Sequence, residues 1–520
     1  MAGFVSLVGA GPWDPDLLTL AGRDRLARAQ CVIADYLVNP SLLVHCPDDC
    51  EVHQRQAGPS GRVELEQAAT NALMLERARA GLRVVRLKGG DPCMFGRGGE
   101  EAQVLAAAGI AFELVPGVSA PIAAPQYAGI AVTHRDHTPA VTFVSGWEAY
   151  DKAGLAVQWE HLARSAGTIV LLMGVRNARD NATRLVAAGR DASTPTAAIR
   201  WGTRGIQRTV VATLGTIADA IEREGLRAPA VLVVGDVVDL RREIAWFEQR
   251  PLFGKRVVVT RSAPGASTLA SALGRTGADV AIVPCLAIVP PDDPAAFDRA
   301  IQNISGHNGV IVSSPAAAEA FLAAIVRVGL DARALAGRQI AAIGEGTAAA
   351  LRRGGLVADL VPERASSEGL VAALAEREWL DRAWLHVRAA EGRDVLREAI
   401  TEAGGRHAVA ASHRTVRPRV HAAVLAGLRP VDDGGEGFDA VCLSSGKAAT
   451  HLLATLSEAW GEAVARARLD AASLIAAGEP TAGTIRALGF RVAGIADSPH
   501  DDAVVAAVAA ALGTSGRAPP

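Results

Sequence analysis

The chain has 520 residues, of which half are hydrophobic, 21% charged and 4% aromatic, and its 53 Lys and Arg nearly balance 55 Asp and Glu for a formal net charge of -2. At about 150 residues per domain, this length predicts several domains rather than one core, and the composition is that of a globular α/β protein, not a disordered one. The near-neutral balance excludes the broad basic footprint of a nucleic-acid binder and leaves only local anion sites.

The six cysteines, Cys31, Cys46, Cys50, Cys93, Cys285 and Cys442, are too few and scattered for a disulfide framework and fit a reducing compartment. Only Cys46 and Cys50 are close, and with no second His or Cys pair beside them no metal site is expected. Met1 to Leu7 lacks the basic start of a signal peptide, and the longest apolar run near the C-terminus, 503–512, is about half a bilayer span. The expectation is a soluble cytoplasmic protein without membrane contact.

Short β-branched or apolar runs alternate with Ala-, Leu-, Arg- and Glu-rich helical stretches, a pattern that predicts parallel sheets covered by helices. The runs include 4–8, 83–87, 141–144, 169–173, 231–234, 257–260, 310–312 and 440–443. The first leads into LVGAGPWDP (7–15), a glycine turn that is a weak signal alone, because any tight turn can use glycine. RLKGGDPCMFGRGGEE (86–101) is far more specific. There Gly89-Gly90 gives backbone that can lie flat against a ligand, Asp91 offers a carboxylate for a hydroxyl or ammonium, and Pro92 fixes the exit. VPGVSA (115–120), GIAVTHR (129–135), LLMG (171–174), WGT (201–203) and PAVLVVG (229–235) follow. FEQRPLFGK (247–255) then interrupts the alternation before a fresh strand at 256–260, which places a domain boundary near residue 250.

The second half contains an internal repeat. VIVSSPAAAEAFLAAI (310–325) resembles VCLSSGKAATHLLATL (441–456), and IAAIGEGTAAALRRGG (340–355) resembles LIAAGEPTAGTIRALGF (474–490). Each copy has two strands that end in small hydroxyl residues at a helix start, where free N–H groups and the helix dipole favour anions. The same residues also serve as ordinary helix caps. Two similar lobes facing one cleft are the expected construction, and 513–520 is read as a frayed tail.

In this order, the segments of residues 3–247 closely resemble the uroporphyrinogen-III C-methyltransferases of the tetrapyrrole methylase fold. The resemblance implies two α/β lobes with S-adenosylmethionine between them, and methylation of uroporphyrinogen III at two ring carbons to give precorrin-2. Matching positions imply cofactor contacts at Pro12, Gly89, Gly90, Asp91, Met94, Ser119, Ala120, Met173, Gly202 and Ala230, and a base at Asp35. The sulfonium is already activated, so the protein has mainly to align a pyrrole carbon and manage protons; a carboxylate can hydrogen-bond a pyrrole N–H or take its proton. The chain departs from the family at three places. Trp13 stands where Gly is usual, so the first loop must change its backbone or push an indole towards the cleft. VHQRQAG (52–58) replaces a Gly-Lys-Arg segment whose Lys is assigned as proton donor, a task Gln54 cannot perform and Arg55 hardly can. Trp147 replaces a common His.

Residues 255–512, with LHVRAAEGRDVLREAITEAGG (385–405) and SHRTVRP (412–418) between the repeat copies, resemble uroporphyrinogen-III synthase. The two resemblances imply a methyltransferase domain at 1–247, a linker at 248–254, and a synthase domain of two α/β lobes, one from 255–287 with 420–512 and the other from 290–412. The implied reaction closes hydroxymethylbilane with loss of water and inversion of ring D. Matching positions for holding substrate carboxylates are Ser314, Thr347, Ser444 and Thr481, with Lys447, Arg388 and Arg393 as further candidates. The family's prominent tyrosine, thought to assist departure of the hydroxyl, aligns with His413, whose unperturbed pKa near 6.5 lies closer to neutral pH than a phenol's.

Together these resemblances imply a bifunctional α/β enzyme of consecutive steps, with S-adenosylmethionine as methyl donor, no metal, small tetrapyrroles as partners, and a homodimer through the methyltransferase half. Two other readings stay open. One is a methylase acting later in corrinoid assembly, against which the near-complete KGGDPxxFGRGGEE run argues; the other is a second half that binds tetrapyrrole without catalysis, kept alive by His413.

Overall fold

The apolar runs expected as strands all lie in sheets of the computed structural model, which describes residues 3–47, 49–54, 67–147, 157–165, 167–261, 265–392, 394–420, 422–429, 435–498 and 500–513. The chain forms two compact units, one from 1–285 with 420–520 and the other from 286–419.

In the first unit, β1 (Phe4–Gly9), β2 (Cys31–Ala34), β3 (Glu51–Gln54), β4 (Arg83–Lys88) and β5 (Ala111–Val115) make a sheet of order β3-β2-β4-β1-β5. All its pairings are parallel. Its inner strands read as unbroken apolar runs because both faces are covered: Val8, Val32 and Leu87 enter one cluster, and Val5, Leu7, Ile33 and Val84 enter another.

The next sheet comprises β6 (Val141–Ser145), β7 (Thr168–Leu172), β8 (Pro195–Arg200), β9 (Arg208–Thr213) and β10 (Ala230–Val234), in the order β6-β7-β10-β8-β9. Here the expectation of parallel sheets fails. Only β6 and β7 are parallel, whereas β10 is antiparallel to β7 and β8, and β8 is antiparallel to β9. The connection 201–207 is a hairpin, too short for the crossover of a dozen or more residues that parallel strands require.

The chain then forms β11 (Arg256–Val259) and β12 (Asp279–Ile282) and enters the second unit. That unit holds β13 (Ala287–Val289), β14 (Gly309–Val312), β15 (Gln339–Ala342), β16 (Ala383–Ala389) and β17 (Arg406–Val416), after which β18 (Ala440–Leu443), β19 (Ser473–Ala476) and β20 (Val492–Ile495) return to the first. The returning strands complete a parallel sheet of order β12-β11-β18-β19-β20. Leu252, from the segment expected as a linker, is fully buried in the apolar cluster under this sheet with Val257, Val259 and Leu273.

The second unit's sheet has the order β13-β17-β16-β14-β15, parallel except for β13 against β17. Phe321 and Val312 anchor the core on one face, and Trp384 and Leu370 on the other. Both copies of the sequence repeat are strand-to-helix units. In the second unit β14 leads to helix Pro315–Arg327 and β15 to Glu345–Arg353; in the first, β18 leads to Gly446–Trp460 and β19 to Glu479–Ala487. Among the described residues, no helix is long and apolar enough to cross a membrane.

Candidate active sites

The glycine turn after β1 and the Gly89-Gly90 turn after β4 are joined by reciprocal backbone bonds, Gly11 N to Gly90 O at 3.2 Å and Gly90 N to Gly11 O at 2.8 Å. Gly90 takes a φ of +69°, which a side chain would resist. A Cβ there would lie only 3.5 Å from Ala120 N, so the turn faces the start of helix Ala120–Tyr127, whose N-cap Ser119 makes no side-chain capping bond. The N–H groups of Ser119 and Ala120, ahead of Pro121 which has none, lie beside bare glycine backbone and form a cradle suited to a polar ligand edge. Gly202 packs against the same helix, where a Cβ would collide with Ala124. Thr203 ties this second-sheet loop to the first: its hydroxyl donates to Pro12 O at 2.7 Å and accepts from Asp14 N at 3.2 Å.

Pro12, Gly89, Gly90, Ser119, Ala120 and Gly202 therefore converge. Ala230 opens β10 beside the same hairpin, since Trp201 N donates to Pro229 O. Met173 follows β7 with a φ of +57° and is half exposed, and the neighbouring Leu172 pairs with Val231 of β10. Asp91 differs from expectation. Its carboxylate accepts from the backbone of Cys93, Met94 and Gly117 at 2.8, 3.2 and 3.1 Å, so the side chain ties two loops together instead of standing free for a hydroxyl or ammonium. Trp13 holds a φ of +103°, in the region that favours glycine, and its ring packs edge-on against Trp201 at 5.5 Å.

Asp35 follows β2 and lies against two cations of β4. Arg86 Nη2 donates to its Oδ1 at 2.5 Å, and Lys88 Nζ stands 3.6 Å from its Oδ2. Both cations also reach Glu101 Oε1 at 3.1 Å. Arg86, Lys88 and Glu101 are buried, whereas the Asp35 side chain is 22% exposed and is the one member of the quartet that reaches the surface. Burial, and then the like charge of Arg86, lower the Lys88 pKa, against the pull of Asp35 and Glu101. Sequence reasoning missed Arg86, Lys88 and Glu101. The available signal was two cations spaced i, i+2 on one face at the end of a strand whose middle is apolar.

Gln54 ends β3, while Arg55 and the rest of the segment to 66 lie outside the described residues, as does Arg393. Trp147 is exposed at the end of β6. Cys46 and Cys50 are free thiols. Among the described residues, Cys31, Glu51 and His53 come close enough to share an ion. However, Glu51 already accepts a fork from Arg77 and a contact from His53, and burial pushes the Cys31 thiol up to about 12, against the thiolate a metal needs.

In the second unit, Ser314 and Thr347 sit just beyond the carboxyl ends of neighbouring strands β14 and β15. Ser314 Oγ caps helix Pro315–Arg327 by accepting from Ala317 N at 3.0 Å, and Thr347 lies buried in the first turn of Glu345–Arg353. In the first unit, Ser444 and Thr481 sit likewise beyond β18 and β19. There Ser445 is the cap, accepting from Ala448 N at 3.2 Å, and Ser444 N donates to Thr260 Oγ1 at 3.4 Å. The two serines chosen from sequence thus differ in job: Ser314 is a cap and Ser444 precedes one.

His413 lies within β17 and not in a free connection. It is buried, with Nδ1 2.8 Å from Ser412 Oγ and its carbonyl accepting from Ala390 N. Burial lowers its pKa despite Glu391, so the ring is neutral at pH 7 and a poorer proton source than its unperturbed value suggested. Sequence reasoning also missed a buried relay in the same unit, in which Ser313 Oγ bonds His386 Nε2 and His386 Nδ1 lies 3.0 Å from His407 Nε2. Burial holds the two imidazoles down to about 3 and about 4.

Residues 5–218 match the family model of the tetrapyrrole (corrin/porphyrin) methylases, and residues 267–506 match that of uroporphyrinogen-III synthase HemD. A porphyrin biosynthesis protein HemD of Ruminiclostridium josui is 37% identical over 377 residues, covering 72% of this chain and 74% of that protein. A uroporphyrinogen-III C-methyltransferase of Bacillus subtilis (strain 168) is 37% identical over 361 residues, 69% of this chain and 74% of that one. An S-adenosyl-L-methionine-dependent uroporphyrinogen III methyltransferase of Methanosarcina barkeri (strain Fusaro / DSM 804) is 47% identical over 239 residues, 46% of this chain and 93% of its own length.

Proposed function

The chain belongs to the uroporphyrinogen-III C-methyltransferase family, with a uroporphyrinogen-III synthase domain in its second half, and on that premise we propose that it makes and then methylates one macrocycle. The second half closes hydroxymethylbilane to uroporphyrinogen III, with loss of water and inversion of ring D. The first half methylates that product twice, giving precorrin-2 on the siroheme and cobalamin branch. The division at 248–254, the two synthase lobes, a cytoplasmic location and a homodimer through the methyltransferase half belong to the same proposal.

The observation that carries the methyltransferase reading is the pairing of the Gly90–Ala120 cradle with a single exposed carboxylate edge at Asp35. The residues present fit S-adenosylmethionine: bare glycine backbone, uncapped helix N–H groups at Ser119 and Ala120, and loops at Pro12 and Gly202 lashed together by Thr203. When bound, the cofactor supplies a methyl group already activated for transfer. Asp35 receives the pyrrole N–H of the substrate and orients the ring carbon. Its negative charge, held in place by Arg86 and Lys88, stabilises positive charge developing on the ring as the carbon attacks. Lys88, buried 3.6 Å behind it, helps to position the carboxylate.

For the synthase half, Ser314, Thr347, Ser444 and Thr481 mark helix starts whose N–H groups suit the substrate's carboxylates. His413, neutral and tied to Ser412, orders the substrate more readily than it donates a proton. That observation also favours a second reading, in which this half binds tetrapyrrole without turning it over. One experiment decides: pure protein is given hydroxymethylbilane with and without S-adenosylmethionine, and the porphyrin isomer is identified after oxidation. Isomer III, converted to a dimethylated product only with the cofactor, is expected. Isomer I alone would remove the synthase activity, and unmethylated isomer III in both arms would remove the methyltransferase.

A further inference from the structure

The two loops that carry Pro12 and Gly202 hold three non-glycine residues in the left-handed region: Trp13 at +103°, Trp201 at +50° and Thr203 at +75°. Each such conformation costs on the order of 1–3 kcal/mol and persists only where the surroundings over-determine it. For indole-bearing residues the cost is not relieved by local hydrogen bonding of the kind open to Asn or Asp. The loops need an anchor beyond their own backbone.

The next residue supplies it. Arg204 is 2% exposed, and its guanidinium carbon lies 4.3 Å from the Trp13 ring centre and 4.6 Å from that of Trp201. The same side chain forks onto Asp279 at 3.0 and 2.8 Å and reaches Glu436 at 3.3 and 2.9 Å. Arg256 grips both carboxylates from the other side, at 3.2 and 2.7 Å. Asp279 and Arg256 open β12 and β11, so these partners belong to the sheet of the synthase half, at the edge opposite the strand ends that carry Ser444 and Thr481. Two further bonds cross in the same region: Gly254 N donates to Gly205 O at 2.7 Å, and Ser271 Oγ to Asp16 Oδ1 at 2.7 Å. Gly205 sits so close to the Asp279 amide that a methyl group would not fit between them.

We infer that Arg204 is a positioning residue for the methyl-donor site, clamping the Trp13 and Gly202 loops through carboxylates contributed by the synthase half. The inference rests on the cofactor reading above. A planar, forked, stacking cation suits the position; a lysine there would keep the charge and lose both the fork and the stacking. Because the clamp joins the two halves, the coupling is reciprocal. Charges at residues 279 and 436 set affinity for the donor in the first half, and donor binding in turn tightens the contact with β11 and β12.

The test uses the full-length protein and S-adenosylhomocysteine as titrant. Glu436→Gln and Arg204→Lys should weaken its Kd by about 5- to 150-fold, the usual span of such couplings, and raise KM for S-adenosylmethionine in parallel. At saturating donor, kcat of Glu436→Gln should stay within about twofold, and its consumption of hydroxymethylbilane should match wild type, since the clamp lies at the far edge of that sheet. In wild type, saturating S-adenosylhomocysteine should slow hydrogen exchange at the amides of Gly254 and Asp279, a readout that needs no variant to fold. A folded Glu436→Gln protein with unchanged Kd, or unaltered exchange at both amides, would overturn the clamp while leaving the cofactor reading intact. Wild type that binds no S-adenosylhomocysteine would sink the cofactor reading, and the clamp with it.

Discussion

Asp35 and Ser314 both sit just beyond a parallel strand, yet they are held by opposite means. Asp35 is fixed by charged side chains sealed from solvent: Arg86 and Lys88 are buried in β4 and share Glu101 beneath it. Ser314 is fixed by main chain, its hydroxyl oxygen already accepting the Ala317 amide. In the first region the chemistry depends on a closed set of ions, so losing any member strands another in low dielectric. In the second, it depends on backbone N–H groups at the helix start, and a lost hydroxyl leaves those donors in place. The first region should therefore fail steeply and the second by degrees.

The steepest expected failure is Asp35→Asn, which keeps shape and removes charge. Methyl transfer should fall by about 10²- to 10⁴-fold while S-adenosylhomocysteine still binds. Turnover equal to wild type would take Asp35 out of the reaction, and lost cofactor binding would make it structural. Next comes Glu101→Leu, which leaves two buried cations with the single carboxylate of Asp35 and should cost about 3–5 kcal/mol in denaturant unfolding of the first unit. A cost under about 1 kcal/mol would erase the contrast between the two regions.

The second region has its own buried ionisable pair, and pH reads it. His386 and His407, held down to about 3 and about 4 from the usual 6.5, bind protons more weakly folded than unfolded. Stability should be full above pH 6.5 and fall as pH drops from there towards 4, by up to about 1.4 kcal/mol per pH unit for each histidine. Unfolding midpoints for the second unit at pH 7.5, 6 and 5, with His386→Gln as the flattened control, would show it. The smallest effects separate the two serine positions. Ser314→Ala and Ser445→Ala should each cost about 1 kcal/mol as lost caps, whereas Ser444→Ala should leave stability alone and raise KM for hydroxymethylbilane. Equal stability losses at Ser444 and Ser445 would end that distinction.

Much of this was legible in the chain. The GGDP run, the repeat and the strand set could be read because each signal is local: a glycine turn, or a strand whose period shifts to that of a helix. The antiparallel half of the second sheet was not, because β7 and β10 are apolar in either direction and only the brevity of 201–207 betrays the hairpin. The partners of Asp35 were hidden for another reason. Arg86 and Glu101 stand 51 and 66 positions from it, counting along the numbering, and a cation in a strand reads as solvated until the fold shows what covers it. Ser314 was chosen over Ser313 although only the structure tells which of two adjacent hydroxyls turns to the helix and which to His386. His413 falls between the expected lobes, which end at 412 and resume at 420, yet β17 runs on through it to Val416.

The parallel pairing of β11 with β18 joins Val257 to Ala440 and Val259 to Cys442. On a ribosome adding about 5–20 residues per second, the newly made β11 waits roughly 10 to 40 seconds for its neighbour, while the whole of the second unit emerges between them. During that interval the backbone N–H and C=O groups on the β18 side of Val257 to Val259 stay unpaired along an open strand edge. The second unit, whose strands all lie within 286–419, can fold as soon as it clears the exit tunnel. Synthesis therefore sets an order that the finished sheet conceals: the inserted unit first, its host sheet last, with the exposed edge of β11 as the window for misassembly.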